Sequence, residues 1–163
     1  PFENDNTRCG VKMVLAILKE GKIDIQIRSF ESPAHRAREA ADILGCCLGA
    51  VVKSLVFQNK EDEKVVLVLV SGENHADIHK LGNILGYTIY PAKPQDVQDL
   101  TGYPVGAVPP IGLKGEFQVI IDADLVPYSF VWAAAGSAHV LFRIKPQDLQ
   151  TLTNGKVVNI KQD

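Results

Sequence analysis

The run Ala50-Val51-Val52-Lys53-Ser54-Leu55-Val56-Phe57 restricts the fold, because a cation interrupts an otherwise apolar strand. Read with a period of two, Val51, Lys53, Leu55 and Phe57 share one face and Val52, Ser54 and Val56 the other. Both faces are apolar, which suggests a strand covered on both sides rather than a sheet edge. The polar turn Gln58-Asn59-Lys60-Glu61-Asp62 and an unbroken apolar run from Val65 to Val70 predict a hairpin whose second arm is a central strand. A buried ammonium is costly unless it meets a partner, a pocket or a ligand. Burial also lowers a lysine pKa, so lysines placed this way tend to be catalytic or ligand-binding. Two alternatives stand beside that reading: an edge-strand lysine that discourages aggregation, or one that snorkels to water.

Around this hairpin the pattern is mixed. Val11, Val14, Leu15 and Leu18 follow the helical spacing, and Gly21 closes that helix. Ile23, Ile25 and Ile27 alternate with polar residues as a half-buried strand. Ser32-Pro33 reads as a helix start, with Ala37, Ala40, Ala41 and Leu44 forming a small-residue face and Gly45 an end. Further helices are predicted through Ile78, Leu81 and Leu85 to Gly86, near Val97 and Leu100, and from Pro146. Strands are predicted at Phe117 to Ile121, Val131 to Ala134, His139 to Ile144, and at an edge through Val157, Val158 and Ile160. A hairpin plus a late run of strands argues for a mixed sheet rather than a parallel one.

At 163 residues with 46% hydrophobic composition, and without a visible boundary, the chain reads as one domain over 1–163, with residues 1–7 expected to be flexible. No stretch is long enough to be a transmembrane helix, and Pro1 to Asn6 lack the order of a signal peptide. Cys9, Cys46 and Cys47 have neither zinc nor redox spacing, so reduced thiols in a cytoplasmic protein are expected. A formal charge of −2 argues against indiscriminate nucleic-acid binding and leaves room for contact with one nucleic-acid end. Arg8, Lys12, Lys19, Lys22, Arg36 and Arg38 are candidate phosphate contacts, or simply solvated helix faces.

The loop Gly102-Tyr103-Pro104-Val105-Gly106-Ala107-Val108-Pro109-Pro110-Ile111-Gly112 is the second informative feature. Prolines stiffen it and glycines admit a ligand close to the backbone. The N–H groups of Gly106, Ala107 and Val108 are candidates to cradle a carbonyl or phosphate oxygen, and a merely rigid loop is the alternative.

Val52-Lys53-Ser54-Leu55-Val56-Phe57, Val68-Leu69-Val70-Ser71-Gly72, Asp77-Ile78-His79-Lys80-Leu81, this loop, Val131-Trp132-Ala133-Ala134-Ala135-Gly136-Ser137-Ala138-His139 and Phe142-Arg143-Ile144-Lys145-Pro146-Gln147-Asp148-Leu149 follow one another in order. Together they resemble the YbaK/prolyl-tRNA-synthetase-associated (INS-like) editing domains. The resemblance implies an α/β (mixed α+β) single domain with a curled mixed sheet flanked by helices. It also implies a freestanding aminoacyl-tRNA deacylase that hydrolyses the ester of a mischarged tRNA. Its expected partners are the acceptor end of that tRNA and a synthetase such as prolyl-tRNA synthetase; no cofactor and no membrane are implied. By this resemblance Lys53 matches the family's functional lysine, and Gly106 and Pro110 match the Gly-x-x-x-Pro loop near the terminal adenosine. His139, after Gly136-Ser137-Ala138, resembles a pocket histidine, and Asp122 a pocket acid.

The residues themselves offer no obvious nucleophile. Ser54 and Lys53 are strand neighbours that point to opposite faces, which disfavours a Ser-Lys dyad. His35, His75, His79 and His139 are scattered, and no metal signature is present. An aminoacyl ester is already activated, so backbone donors and a positioned water suffice to hydrolyse it. The expected arrangement has Lys53 anchoring the substrate, Gly106 to Val108 donating N–H groups, and His139 with residues 133–138 selecting by size. Two other readings remain: a module that binds a tRNA end or small ligand without turnover, and a structural domain with Lys53 in water.

Overall fold

In the computed structural model, which describes residues 5–163, the chain runs α1 (Asp5–Glu20), β1 (Gln26–Ser29), α2 (Ala37–Leu44), β2 (Val52–Asn59), β3 (Val65–Ser71), α3 (Ile78–Leu85) and β4 (Ile89–Pro91). It continues through α4 (Pro94–Thr101), β5 (Gln118–Asp122), β6 (Val131–Ser137), β7 (Val140–Ile144), α5 (Pro146–Thr153) and β8 (Lys156–Val158). Part of the segment expected to be flexible, residues 1–4, lies outside the described residues.

Five strands form a mixed sheet in the order β4-β2-β3-β5-β8, and three form an antiparallel sheet in the order β1-β7-β6. The expected curled sheet takes this form, the two parts meeting at a bridge between Val51 and Trp132. The β2–β3 hairpin is antiparallel and sets Lys53 opposite Val70; β3 then pairs in parallel with β5. Both faces of β3 are covered. Leu67 and Leu69 join the core between the sheets with Phe142 and Ile144, whereas Val66, Val68 and Val70 pack with Leu81 of α3. Each of these five β3 side chains is fully buried, worth roughly 1.5–3 kcal/mol apiece, so this strand anchors the molecule.

Helix signals are largely realised. Asp77 caps α3, its Oδ1 accepting the N–H groups of His79 at 2.9 Å and Lys80 at 3.1 Å. Prolines open α4 and α5, and Gly45 and Gly86 close α2 and α3. Two expectations need correction, and one strand was not foreseen. The helix expected from Ser32-Pro33 starts at Ala37, because the backbone before it is bonded elsewhere: Phe30 N–H donates to His139 O at 2.9 Å and Ala34 N–H to Ala138 O at 2.8 Å. The strand expected through Ile23, Ile25 and Ile27 begins at Gln26 and is exposed throughout, since β1 is a sheet edge; Ile23 and Ile25 pack inward before it. The short edge strand β4 carried too little periodicity to be read in advance. Among the described residues, no helix is long and apolar enough to cross a membrane.

Candidate active site

A cavity of about 310 Å³ opens at the start of β2. Its floor is Val51 and the start of β2 as far as Leu55, and Ala134 of β6 and Leu141 of β7 close one side. Residues 34–40 form another wall, and Val105, Gly106 and Val108 bring the proline-rich loop to the rim. The polar side chains of the lining are His35, Arg36, Lys53 and Ser54; no carboxylate is among them. The surface is therefore apolar and small-sided, with its positive charge gathered at Lys53 and Arg36.

Lys53 is half-buried, and its ammonium donates to the carbonyl oxygen of Asn74. Among the described residues that is its hydrogen bond, which leaves two N–H groups for a ligand. Burial pushes its pKa below the ordinary lysine value, and the negative charge of Asp122 pulls against that shift. Asp122, at the end of β5, is 1% exposed and stands behind the turn that carries Asn74. Its Oδ2 accepts Ser71 N–H at 3.0 Å and Asn74 Nδ2–H at 2.9 Å, and its Oδ1 accepts Asp124 N–H at 3.0 Å. The Asn74 amide also donates to Asp124 at 2.9 Å, and Asp124 in turn pairs with Lys161 at 2.9 Å. Those two donors hold the Asp124 carboxyl below its usual range, Lys161 contributing most.

The loop is fixed at its base and tip. Lys114 N–H donates to Thr101 O at 3.0 Å, and the buried Tyr103 hydroxyl donates to Gly112 O at 2.9 Å. At the tip, Ala107 N–H donates to Pro104 O at 3.1 Å, closing a four-residue turn whose third residue is Gly106 at φ +87°. That geometry requires glycine, and a Cβ there would lie 3.1 Å from His35 Nδ1. The expected trio of backbone donors is thus reduced, since Ala107 spends its N–H inside the turn. Among the described residues the N–H groups of Gly106 and Val108 have no acceptor, and both residues line the cavity.

The structure brings Lys53, Gly106 and Val108 to one cavity. Asp122 stands behind it, and Pro110 is buried in the loop away from the lining. Gly136, Ser137 and His139 also lie off the lining, where Ala134 is the one residue of the 133–138 segment. Gly136, at φ +99°, sits in a bulge of β6 where a Cβ would meet Tyr103 Cε1 at 2.9 Å. Ser137 Oγ accepts His139 N–H at 3.0 Å, and His139 Nδ1–H donates to Phe30 O at 3.1 Å. His139 therefore straps the segment that leads to the cavity wall. Among the described residues, no three His, Cys, Asp or Glu side chains group to hold a metal ion.

Residues 31–152 match the family profile described as the aminoacyl-tRNA editing domain. The chain belongs to this family. A solved structure of a proposed trans-editing enzyme for prolyl tRNA synthetase superposes on the editing domain with a TM-score of 0.87 at 34% identity, covering 94% of this chain and 98% of that one. The YwhH protein of Bacillus subtilis (strain 168), uncharacterised, is 28% identical over 131 residues, which are 80% of this chain and 83% of YwhH. A proline–tRNA ligase of Bacillus cereus (strain G9842) is 30% identical over 112 residues, spanning 68% of this chain and only 19% of the ligase. EbsC of Enterococcus faecalis, named as a proposed Cys-tRNA(Pro)/Cys-tRNA(Cys) deacylase, is 29% identical over 125 residues, 76% of each chain. In the editing domain, His35 and Arg36 are lining side chains that the sequence did not single out for the pocket. Their adjacency to Ser32-Pro33 pointed to a helix start and hid the extended backbone that aims them at the loop.

Proposed function

We propose that the editing domain hydrolyses the ester of mischarged tRNA, acting in trans as a freestanding deacylase. The observation that carries this reading is that Lys53 and two backbone donors, at Gly106 and Val108, without an acceptor among the described residues, line one small cavity. An ester carbonyl placed there meets N–H groups that strengthen as its oxygen becomes an oxyanion. Water adds to the carbonyl carbon, the bond to the ribose oxygen breaks, and that oxygen takes up a proton given by the attacking water as the free amino acid leaves. The ammonium of Lys53 anchors the phosphate or ribose oxygens of the terminal nucleotide, with Arg36 adding charge at the rim. His35 is the lining side chain able to accept a proton from the attacking water and return it.

The alanines of the wall, at positions 34, 37, 40 and 134, suit a small, uncharged aminoacyl group. Action in trans is supported by the coverage of relatives: this chain spans most of YwhH and of the superposed structure, against a small part of the ligase. The names of two of these relatives point to tRNA(Pro) as the first tRNA to try. The test is deacylation of Cys-, Ala- and Ser-charged tRNA(Pro). Wild-type protein should release the amino acid from at least one of them, and Lys53→Ala should remove that activity while leaving the fold intact by circular dichroism. Hydrolysis of none, or full activity in Lys53→Ala, overturns the reading.

A further inference from the structure

Asp122 is the most deeply buried carboxylate of the described chain, and the proposed hydrolysis leaves it no task. It lies off the cavity lining, so a substrate does not reach it. What it does reach is the turn beside Lys53. Three donors converge on its two oxygens: Ser71 N–H, Asp124 N–H and the side-chain amide of Asn74. Ser71 is held a second time, its hydroxyl donating to Gly49 O at 2.7 Å. The residue so tethered, Asn74, turns its backbone carbonyl to the Lys53 ammonium.

We propose that Asp122, acting through Asn74, is a positioning residue that fixes the Lys53 ammonium in the cavity. A four-carbon side chain carrying a point charge has no preferred direction of its own. In this site one of its donors is pinned by a carbonyl of Asn74, a residue held by its N–H donating to Ser71 O at 2.9 Å and by its side-chain amide, which Asp122 and Asp124 accept. The remaining two N–H groups then take fixed directions. Asp122 also supplies a buried negative charge on the far side of the turn, which keeps the ammonium protonated against its desolvation. The other charged or titratable groups about Lys53 are His35 and Arg36 across the cavity, and Glu73 and His75 flanking Asn74. On the far side of the turn, Lys161 pairs with Asp124 at 2.9 Å and also faces the charge of Asp122.

The inference rests on the deacylase reading for its kinetic arm and not for its spectroscopic one. Asp122→Asn keeps the shape and removes the charge; Asn74→Ala keeps the carbonyl and cuts the tether. Both should lower kcat/KM by about 10²-fold, as expected when the group that anchors the substrate is misplaced by about an ångström. Independently, nitrogen-15 NMR of the lysine side chains should show the Lys53 pKa lower in Asp122→Asn than in wild type. The alkaline limb of the rate profile should move down with it. Should Asp122→Asn fail to fold, Asn74→Ala carries the test: wild-type kcat/KM in that variant overturns the proposal. Wild-type kcat/KM together with an unmoved Lys53 titration in a folded Asp122→Asn protein overturns it equally. Absence of hydrolysis in the wild type overturns the deacylase reading alone, because the Lys53 titration still decides the role of Asp122.

Discussion

A charged side chain that is half-buried beside apolar residues works against the fold that holds it. Lys53 has its pKa lowered by desolvation, so the folded state binds its proton less tightly than the unfolded chain does. The sign follows directly. The cost to stability is complete below the folded pKa and is relieved as pH rises through it toward the ordinary lysine value. Lys53→Met, which keeps the stem and removes the charge, should therefore melt on the order of 2 °C higher than wild type near neutral pH. The gain should shrink above about pH 10, near the ordinary lysine pKa, as thermal melts at the two pH values would show. The same variant should be inactive. Activity and stability oppose each other at this position, as expected where a site is built from an expensive group. Lys53 was legible in the sequence because an interrupted apolar strand is a local pattern. The connection of Asp122 to Lys53 was not, because it runs through the carbonyl of Asn74, an atom that every residue carries.

At the scale of elements, the loop and the wall it faces are each held by a close approach. Tyr103 lies between α1 and β6, and a Cβ on Gly10 would stand 2.6 Å from its Cε1, one on Gly136 2.9 Å. The ring is thereby clasped between two side-chain-free positions, and its hydroxyl ties the far end of the loop at Gly112. Gly136→Ala combines that collision with a left-handed φ of +99° and should cost about 2–3 kcal/mol. A lower urea midpoint at unchanged m is the expected result. Caps, prolines and apolar periodicity made most helices and strands readable in advance, and the hairpin above all. The start of α2 was misplaced because the competing bonds come from Ala138 and His139; the His139 ring contact with Phe30 spans 109 positions. No local signal at Ser32-Pro33 reports a strap from so distant a part of the chain, so His35 and Arg36 were named in the sequence without being placed at the cavity.

For the molecule as a whole, charge limits how a nucleic acid can be held. The formal net charge is −2, and the cations of the cavity are Lys53 and Arg36. A tRNA gripped only at its end releases few counterions. With one to three phosphates neutralised, the logarithm of the binding constant should fall against that of salt with a slope of about −1 to −2. Fluorescence anisotropy on a labelled acceptor-end oligonucleotide from 50 to 300 mM salt, about the range over which such slopes are read, checks this. A much steeper slope would place the basic residues of α1 in contact as well.

The cavity draws its walls from residues 34–40, 51–55, 105–108 and 134–141, which no short piece of the chain contains. Catalytic competence is thus a property of the intact tertiary arrangement. In a urea titration, turnover should vanish along the same curve as helical circular dichroism and tryptophan fluorescence, making hydrolysis itself a gauge of how much protein is correctly assembled.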